Sequence, residues 1–164
     1  MGFYPRNREN VKLDDLDRKL LAELQADASD SLEKVGERIG LSRNACWNRV
    51  RRLEEAGVLK ARVALVDPAA VNLGLTVFIA VRTNEHDPNW LETFARVTRS
   101  MPEIQGVYRT SGQLDYLIRA RVPDVAAYDA LYQRLIRKVR LADVSASFVM
   151  QEIKETTALP LNYA

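Results

Sequence analysis

The chain has 164 residues, 47% of them apolar and 28% charged. That length and balance suit one globular domain or two small ones and exclude a large multidomain enzyme. A single cysteine, Cys46, and a single histidine, His86, exclude an intrachain disulfide and a cysteine-cluster metal site. They leave little material for a zinc site or a His-dependent triad, so no cofactor, no metal and no catalytic residue is expected.

The net charge of +2 is unevenly placed. Residues 1–66 hold 13 Lys and Arg against 11 Asp and Glu, while residues 67–164 hold 11 of each. From Ser42 to Arg52 there are four arginines (Arg43, Arg49, Arg51, Arg52) and no acid. No uncharged apolar run reaches the roughly 18 residues of a membrane span. The start, Met1-Gly2-Phe3-Tyr4-Pro5-Arg6, lacks the apolar core of a secretory signal. The expectation is a cytoplasmic protein with no membrane partner.

In chain order, residues 1–12 are polar and read as a frayed end. A first helix starts after Asp14, which can cap it, with Asp15 and Asp17 in its first turn and Leu16, Leu20, Leu21 and Leu24 as its apolar stripe. A second helix fits residues 31–39, capped by Asp30 or Ser31, with Leu32, Val35 and Ile39 on one side. Gly36 inside it should cost about 1 kcal/mol relative to Ala. Gly40-Leu41-Ser42 reads as a helix stop, a buried anchor and a new cap. A third helix runs from Arg43 to Ala56 and is closed by Gly57.

The rhythm then changes. Leu59–Val66 alternates like a strand and ends at Asp67-Pro68; Leu75–Arg82 is a dense run of strand formers. Asp87-Pro88 opens a helix carrying Trp90, Leu91, Phe94, Val97 and Met101. Ile104–Thr110 and Asp115–Val122 read as two strands joined through Ser111-Gly112-Gln113-Leu114. Asp124 caps a helix with Val125, Tyr128, Leu131, Tyr132, Leu135 and Val139, and Val144–Ile153 reads as a last strand. The order after residue 75 is β-α-β-β-α-β, the ferredoxin-like arrangement.

The second and third helices, with their tight turn, match the helix-turn-helix plan, in which the later helix enters the major groove. A basic run alone reads first as a solvated helix face. At about 100° per residue, however, Cys46, Val50 and Leu53 fall on one side of the third helix. Asn44, Asn48 and Arg51 fall on the other, flanked by Trp47 and Arg52 and led by Ser42 and Arg43. Asn can read adenine with two hydrogen bonds, and Arg can read guanine or grip a phosphate. These seven residues are the candidate contacts to double-stranded DNA. Arg49 lies beside the apolar stripe, where an ion pair within the domain is a better reading than a base contact. Trp47 can insert between sugars or stack on the domain's own surface. Cys46 reads as a small buried hydrophobe, and His86 as a solvated loop residue.

Taken together, Leu13-Asp14-x-x-Asp17-Arg18-Lys19-Leu20-Leu21, Gly40-Leu41-Ser42 and Arg49-Val50-x-Arg52-Leu53-Glu54-x-x-Gly57-Val58 resemble the leucine-responsive/AsnC (Lrp/AsnC) transcription regulators of bacteria and archaea. Ser111-Gly112-x-x-Asp115-Tyr116-Leu117 and Phe148 through Lys154 resemble the effector domain of the same family, and the likeness spans residues 13–158. The resemblance implies an α+β chain. A helix-turn-helix DNA-binding domain over residues 13–58 leads through a linking strand and linker (59–74) to a ferredoxin-like effector-binding and oligomerisation domain (75–155) and a tail (156–164). It implies pairing through sheets into a dimer or a ring of dimers. It also implies a small amino acid effector near Gly112, Asp115 and Tyr116. A glycine there allows positive φ and close approach, and a carboxylate can take an ammonium group.

The sequence departs from the family pattern at Gln113-Leu114, where an acid and an aromatic are usual, and at Gly36, where Ala is usual. Cys46-Trp47 and the tail Thr156–Leu161 resemble one branch, some members of which respond to sulfur-containing or aliphatic amino acids. Two alternatives share the architecture: a DNA-compacting protein without effector, and an enzyme resembling the sirohaem decarboxylases. The lone His86 in a polar loop and the basic third helix count against the enzyme.

Overall fold

The computed structural model describes residues 12–85 and 87–163; His86 lies outside them. The chain folds as two compact units. One takes the described residues up to Ala64 and those from Lys154 onward; the other takes the described residues of 65–153.

The first unit holds α1 (Asp15–Ala26), α2 (Leu32–Ile39) and α3 (Arg43–Glu55). The Asp14 carboxylate accepts from Asp17 N at 2.7 Å, and Asp14 N donates to Asp17 Oδ2 at 3.1 Å. This reciprocal box satisfies two of the amides that every helix start leaves open. Ser31, rather than Asp30, caps α2, and Gly40 ends it in the left-handed region at φ 74°. Ser42 then caps α3 by accepting from Ala45 N at 3.2 Å. The buried core is Leu13, Leu20, Leu21, Leu24, Val35, Val50 and Leu53, and Leu32, Ile39, Leu59 and Leu161 pack against it. Leu41 is half-buried.

Gly36 has a specific reason. It is buried where the turn folds back over α2, and Leu41 N donates to its carbonyl at 2.8 Å. A Cβ at this position would collide with the Leu41 carbonyl oxygen and press on Cys46 Sγ at 3.3 Å. The helix propensity lost at Gly36 allows close packing of the turn.

The C-terminal tail belongs to this unit. The Gln25 amide grips the backbone of Leu159 on both sides, donating to its carbonyl at 3.2 Å and accepting from its N–H at 2.7 Å.

The second unit contains β1 (Leu75–Arg82), α4 (Pro88–Arg99), β2 (Ile104–Arg109), β3 (Tyr116–Val122), α5 (Val125–Ile136) and β4 (Asp143–Phe148), preceded by one 3-10 turn over Ala69–Val71. The sheet is antiparallel in the order β2-β3-β1-β4, the ferredoxin-like topology. Val77, Ile79 and Val81 face the core, with Ile118 and Ala120 from β3 and Phe94, Leu131 and Leu135 from the helices. Trp90 stacks on Phe94 at 5.0 Å between centroids, and its indole N–H donates to Arg140 O at 2.8 Å.

Three sequence expectations are corrected. Leu59–Val66 forms no strand; Val63, Leu65 and Val66 are exposed instead. Alternation makes a strand only where a neighbouring chain takes up the backbone groups, and none does so among the described residues. Strand β4 stops at Phe148, not Ile153. Its neighbour β1 is used up there, because Val77 already pairs with Phe148 and Val149 N bonds to Thr76 O. Val125 stands exposed rather than joining the apolar stripe of α5.

Candidate nucleic-acid interface and ligand cavity

Helix α3 has two distinct faces. Cys46, Val50 and Leu53 are buried on one, and burial pushes the Cys46 thiol above its usual pKa. Arg43, Asn44, Asn48, Arg51 and Arg52 are exposed, and Trp47 keeps 51% of its surface open. The outward set expected from the sequence is therefore assembled on one helix. Ser42 is exposed as well, with its hydroxyl engaged as the cap of α3. The Arg51 guanidinium lies 5.6 Å from the Trp47 ring centroid, and its Nε donates to Glu55 at 2.8 Å. A cation over an indole face is attracted by the ring quadrupole, so Trp47 and Arg51 brace one another.

Arg49 is an internal ion-pairing residue, as its position on the wheel suggested. Its Nη1 reaches Asp14 Oδ2 at 2.7 Å and Asp17 Oδ1 at 2.7 Å. The Arg49 guanidinium, with the Asp17 amide beside it, holds the Asp14 carboxyl down at about 2. Asp14 in turn raises the Arg49 pKa. Arg52 Nη2 donates to Asp17 Oδ2. Sequence reasoning placed Arg52 beside DNA and missed its tie to Asp17. The usable signal was the Asp14-x-x-Asp17 box together with two arginines three apart on α3. Glu55 was also missed; its i, i+4 spacing from Arg51 was the signal.

The second site is a cavity of about 400 Å³ at one end of the sheet. It is lined by Arg82, Thr83 and Asn84 after β1, by Gly112, Gln113 and Asp115 in the β2–β3 turn, and by Ala142 and Asp143 at the start of β4. Gly112 sits at φ 115°, a conformation that disfavours any side chain, although a Cβ there would meet nothing within 4 Å. Asp115 lines the cavity and is also a structural tie: its Oδ2 accepts from Thr83 N at 2.9 Å, and its own N–H donates to Val81 O at 3.0 Å. Tyr116, expected at the effector site, points into the core of the sheet unit. It is buried against Trp90 and Phe94 and does not line the cavity. Asp115 lies in the turn before β3, whereas Tyr116 opens the strand with its ring in the core. Among the described residues, no group of three His, Cys, Asp or Glu could hold a metal, and no helix is long and apolar enough to cross a membrane.

Comparison with known proteins gives both halves a name. A family model described as the AsnC-type helix-turn-helix domain matches residues 13–54. A second, the Lrp/AsnC ligand binding domain, matches residues 76–159. The glutamate uptake regulatory protein of Zymomonas mobilis is 47% identical over 150 residues, covering 92% of each chain. An AsnC family transcriptional regulator from Agrobacterium tumefaciens superposes with a TM-score of 0.89 at 48% identity, covering 92% of this chain and 99% of its own. A transcriptional regulator from Neisseria meningitidis, solved as a complex with L-Met, superposes with a TM-score of 0.88 at 36% identity over 93% and 99% of the two chains. With a helix-turn-helix in one unit, a ferredoxin-like sheet in the other and both family models in this order, the chain belongs to the Lrp/AsnC family of DNA-binding transcriptional regulators.

Proposed function

We propose that residues 13–58 bind operator DNA through α3, and that residues 75–155 adjust this binding when a small amino acid enters the cavity. The observation that carries the first half is the outward face of α3, where Asn44, Asn48, Arg51 and Arg52 stand exposed opposite a buried apolar stripe. Asn44 and Asn48 read bases; Arg43, Arg51 and Arg52 grip phosphates; Ser42 fixes the helix start. Arg51 exchanges Glu55 for a phosphate on binding, a swap of one exposed ion pair for a stronger charge-assisted contact.

The cavity supports the second half. A zwitterion needs an anion for its ammonium and donors for its carboxylate. Asp115 and Asp143 supply the first, and Arg82, Asn84 and Gln113 the second. Gly112 keeps the turn open. The relative solved with L-Met supports an amino acid as the ligand class. The protein acts by binding rather than catalysis, in the cytoplasm where its DNA lies.

The assembly is a dimer or a ring of dimers. Helices cover one face of the sheet; the other presents Phe78, Ala80 and Leu117 half-buried and Tyr108 exposed. A second sheet would cover that face, and two-fold pairing would offer two recognition helices to a palindrome. Sedimentation should find no monomer at micromolar concentration.

The deciding experiment is operator selection from random duplexes, followed by calorimetry with the twenty amino acids. Asn48→Ala should cost about 1–3 kcal/mol on the selected site and little on random DNA. Asp115→Asn should keep the bond from Thr83 N while losing the charge, so effector affinity falls roughly tenfold or more with the fold intact. Equal losses on both DNAs, or an unchanged effector response in Asp115→Asn, overturn the respective half.

A further inference from the structure

The first turn of α1 holds a carboxylate with no solvent exposure. Asp17 is 0% exposed, and both of its oxygens are taken. Oδ1 accepts from Arg49 Nη1 at 2.7 Å; Oδ2 accepts from Arg52 Nη2 and from Asp14 N at 3.1 Å. The two arginines are three residues apart on α3 and so lie side by side. They differ in exposure: the Arg49 side chain keeps 24% of its surface and Arg52 keeps 49%. Arg49 is further enclosed by both oxygens of Asp14, at 2.9 and 2.7 Å. One edge of Arg52 is thus held by a buried acid while the rest of the group faces outward.

We propose that Asp17 is a positioning residue for DNA binding: it fixes the Arg52 guanidinium so that its exposed edge meets a backbone phosphate without first losing rotamer freedom. The inference rests on the reading of α3 as the DNA-facing helix. A guanidinium offers five donors in a planar fork, so one edge can hold Asp17 while another takes phosphate oxygens. A long flexible side chain immobilised on binding loses affinity; one immobilised beforehand does not. The small core of this unit gives Asp17 a structural role as well, and the test must separate the two.

The sign of the effect does so. Asp17 is an acid close to the DNA-facing surface, so simple charge counting says that neutralising it strengthens DNA binding. Positioning says the reverse. Wild type, Asp17→Asn, Arg52→Ala and the double variant are titrated with a random-sequence duplex over a series of KCl concentrations, with thermal melting of each protein alongside. Asp17→Asn should weaken binding roughly three- to tenfold. It should also flatten the salt slope by somewhat less than one phosphate contact. In the Arg52→Ala background it should add nothing further, because the two act as a unit.

Tighter or unchanged binding by Asp17→Asn overturns the proposal, as does a loss that adds fully to that of Arg52→Ala, or a lowered melting temperature with affinity and slope intact. If Arg52→Ala itself changes neither affinity nor slope, the reading of Arg52 as a phosphate contact fails and the proposal fails with it. If Asp17→Asn does not fold, Arg52→Lys decides. Its compact ammonium cannot serve Asp17 and a phosphate in the same planar way, so it should lose about as much as Arg52→Ala. Wild-type binding by Arg52→Lys overturns the proposal.

Discussion

The two units are held together by different means. In the sheet unit, fourteen buried apolar residues form one cluster around Phe94, Ile118 and Leu131. Among the described residues of the helix-turn-helix unit the equivalent cluster has seven, and its first turn buries a carboxylate among two guanidiniums. Small domains bury a smaller fraction of their surface, so each remaining interaction carries more weight. The larger unit can lose a polar contact and stay folded; the smaller one leans on Asp14, Asp17, Arg49 and Arg52. The same charges tie α1 to α3, the helix proposed to meet DNA, so on that reading stability and function are coupled in one unit and largely separate in the other.

The largest effect belongs to the apolar side of this comparison. Phe94 is 1% exposed, with the Tyr116 ring 4.8 Å away and Trp90 stacked upon it. Phe94→Ala leaves a cavity that neighbouring rings cannot fill without losing their own contacts. A loss of about 3–5 kcal/mol is expected in urea unfolding. DNA affinity of the folded fraction should be nearly unchanged, since the helix-turn-helix core is a separate cluster. A loss under about 1 kcal/mol would mean that this cluster relaxes far more than a close-packed core should.

The ionic side predicts a smaller loss with a different character. Arg49→Leu removes one of the two guanidiniums on Asp17 and leaves a buried carboxylate half-compensated. Breaking a buried pair in this way costs about 3–5 kcal/mol, less here because Arg52 remains and the site borders solvent, so about 2–3 kcal/mol is expected. Unlike Phe94→Ala, this change should move DNA binding too, since Asp17 then draws Arg52 inward. Thermal unfolding together with titration of a random duplex checks both. Intact stability in Arg49→Leu would show the cluster to be ornamental.

How legible these differences were follows from what kind of interaction makes them. Leu75–Arg82 was readable to the residue because its partners lie on both sides within the chain. Leu59–Val66 has the same alternation and forms no strand, because alternation describes side-chain faces and says nothing of who takes the backbone hydrogen bonds. The outward face of α3 was readable because a helix wheel is local geometry. The ring of contacts to Asp17 was not: it joins residues 32 and 35 positions apart, and an acid in a first turn normally reads as a solvated partner of the helix dipole. At the cavity, Gly112 was legible from its need for positive φ. The burial of Tyr116 in the core was not legible from the motif, which runs along the chain and does not say which way each residue turns. Asp115 was legible as a turn carboxylate beside Gly112 but not as the tie to Thr83 N, a contact that exists only once β1 and β3 are paired.

The smallest expected effect sharpens the comparison by pH. The Asp14 carboxyl is held at about 2 against an ordinary 3.8, chiefly by the Arg49 hydrogen bond and then by the Asp17 amide. The unfolded chain therefore takes up this proton first as acid is added. The cap and its ion pair contribute fully above about 3.8, and their contribution is lost as pH falls through that value toward about 2. The sheet unit has its own acid-sensitive pair. Burial works against ionisation of Glu103, but Arg134 prevails and holds it below the usual range. That pair belongs to the unit with the larger buried cluster among the described residues, so its loss should be tolerated. Of the five α-helices among the described residues, three lie in the smaller unit, which makes the helical circular dichroism signal weigh toward it. Trp47→Phe leaves Trp90 as the reporter of the sheet core. Acid titration of that variant should show the helical signal falling between about pH 3.8 and 2, while Trp90 fluorescence holds its folded value to lower pH. Added salt should narrow the gap, because exposed charges are screened within about 10 Å at 0.1 M ionic strength. Coincident transitions by the two probes would mean that the units unfold as one, and that the charge cluster of the smaller unit is not its weak point in acid.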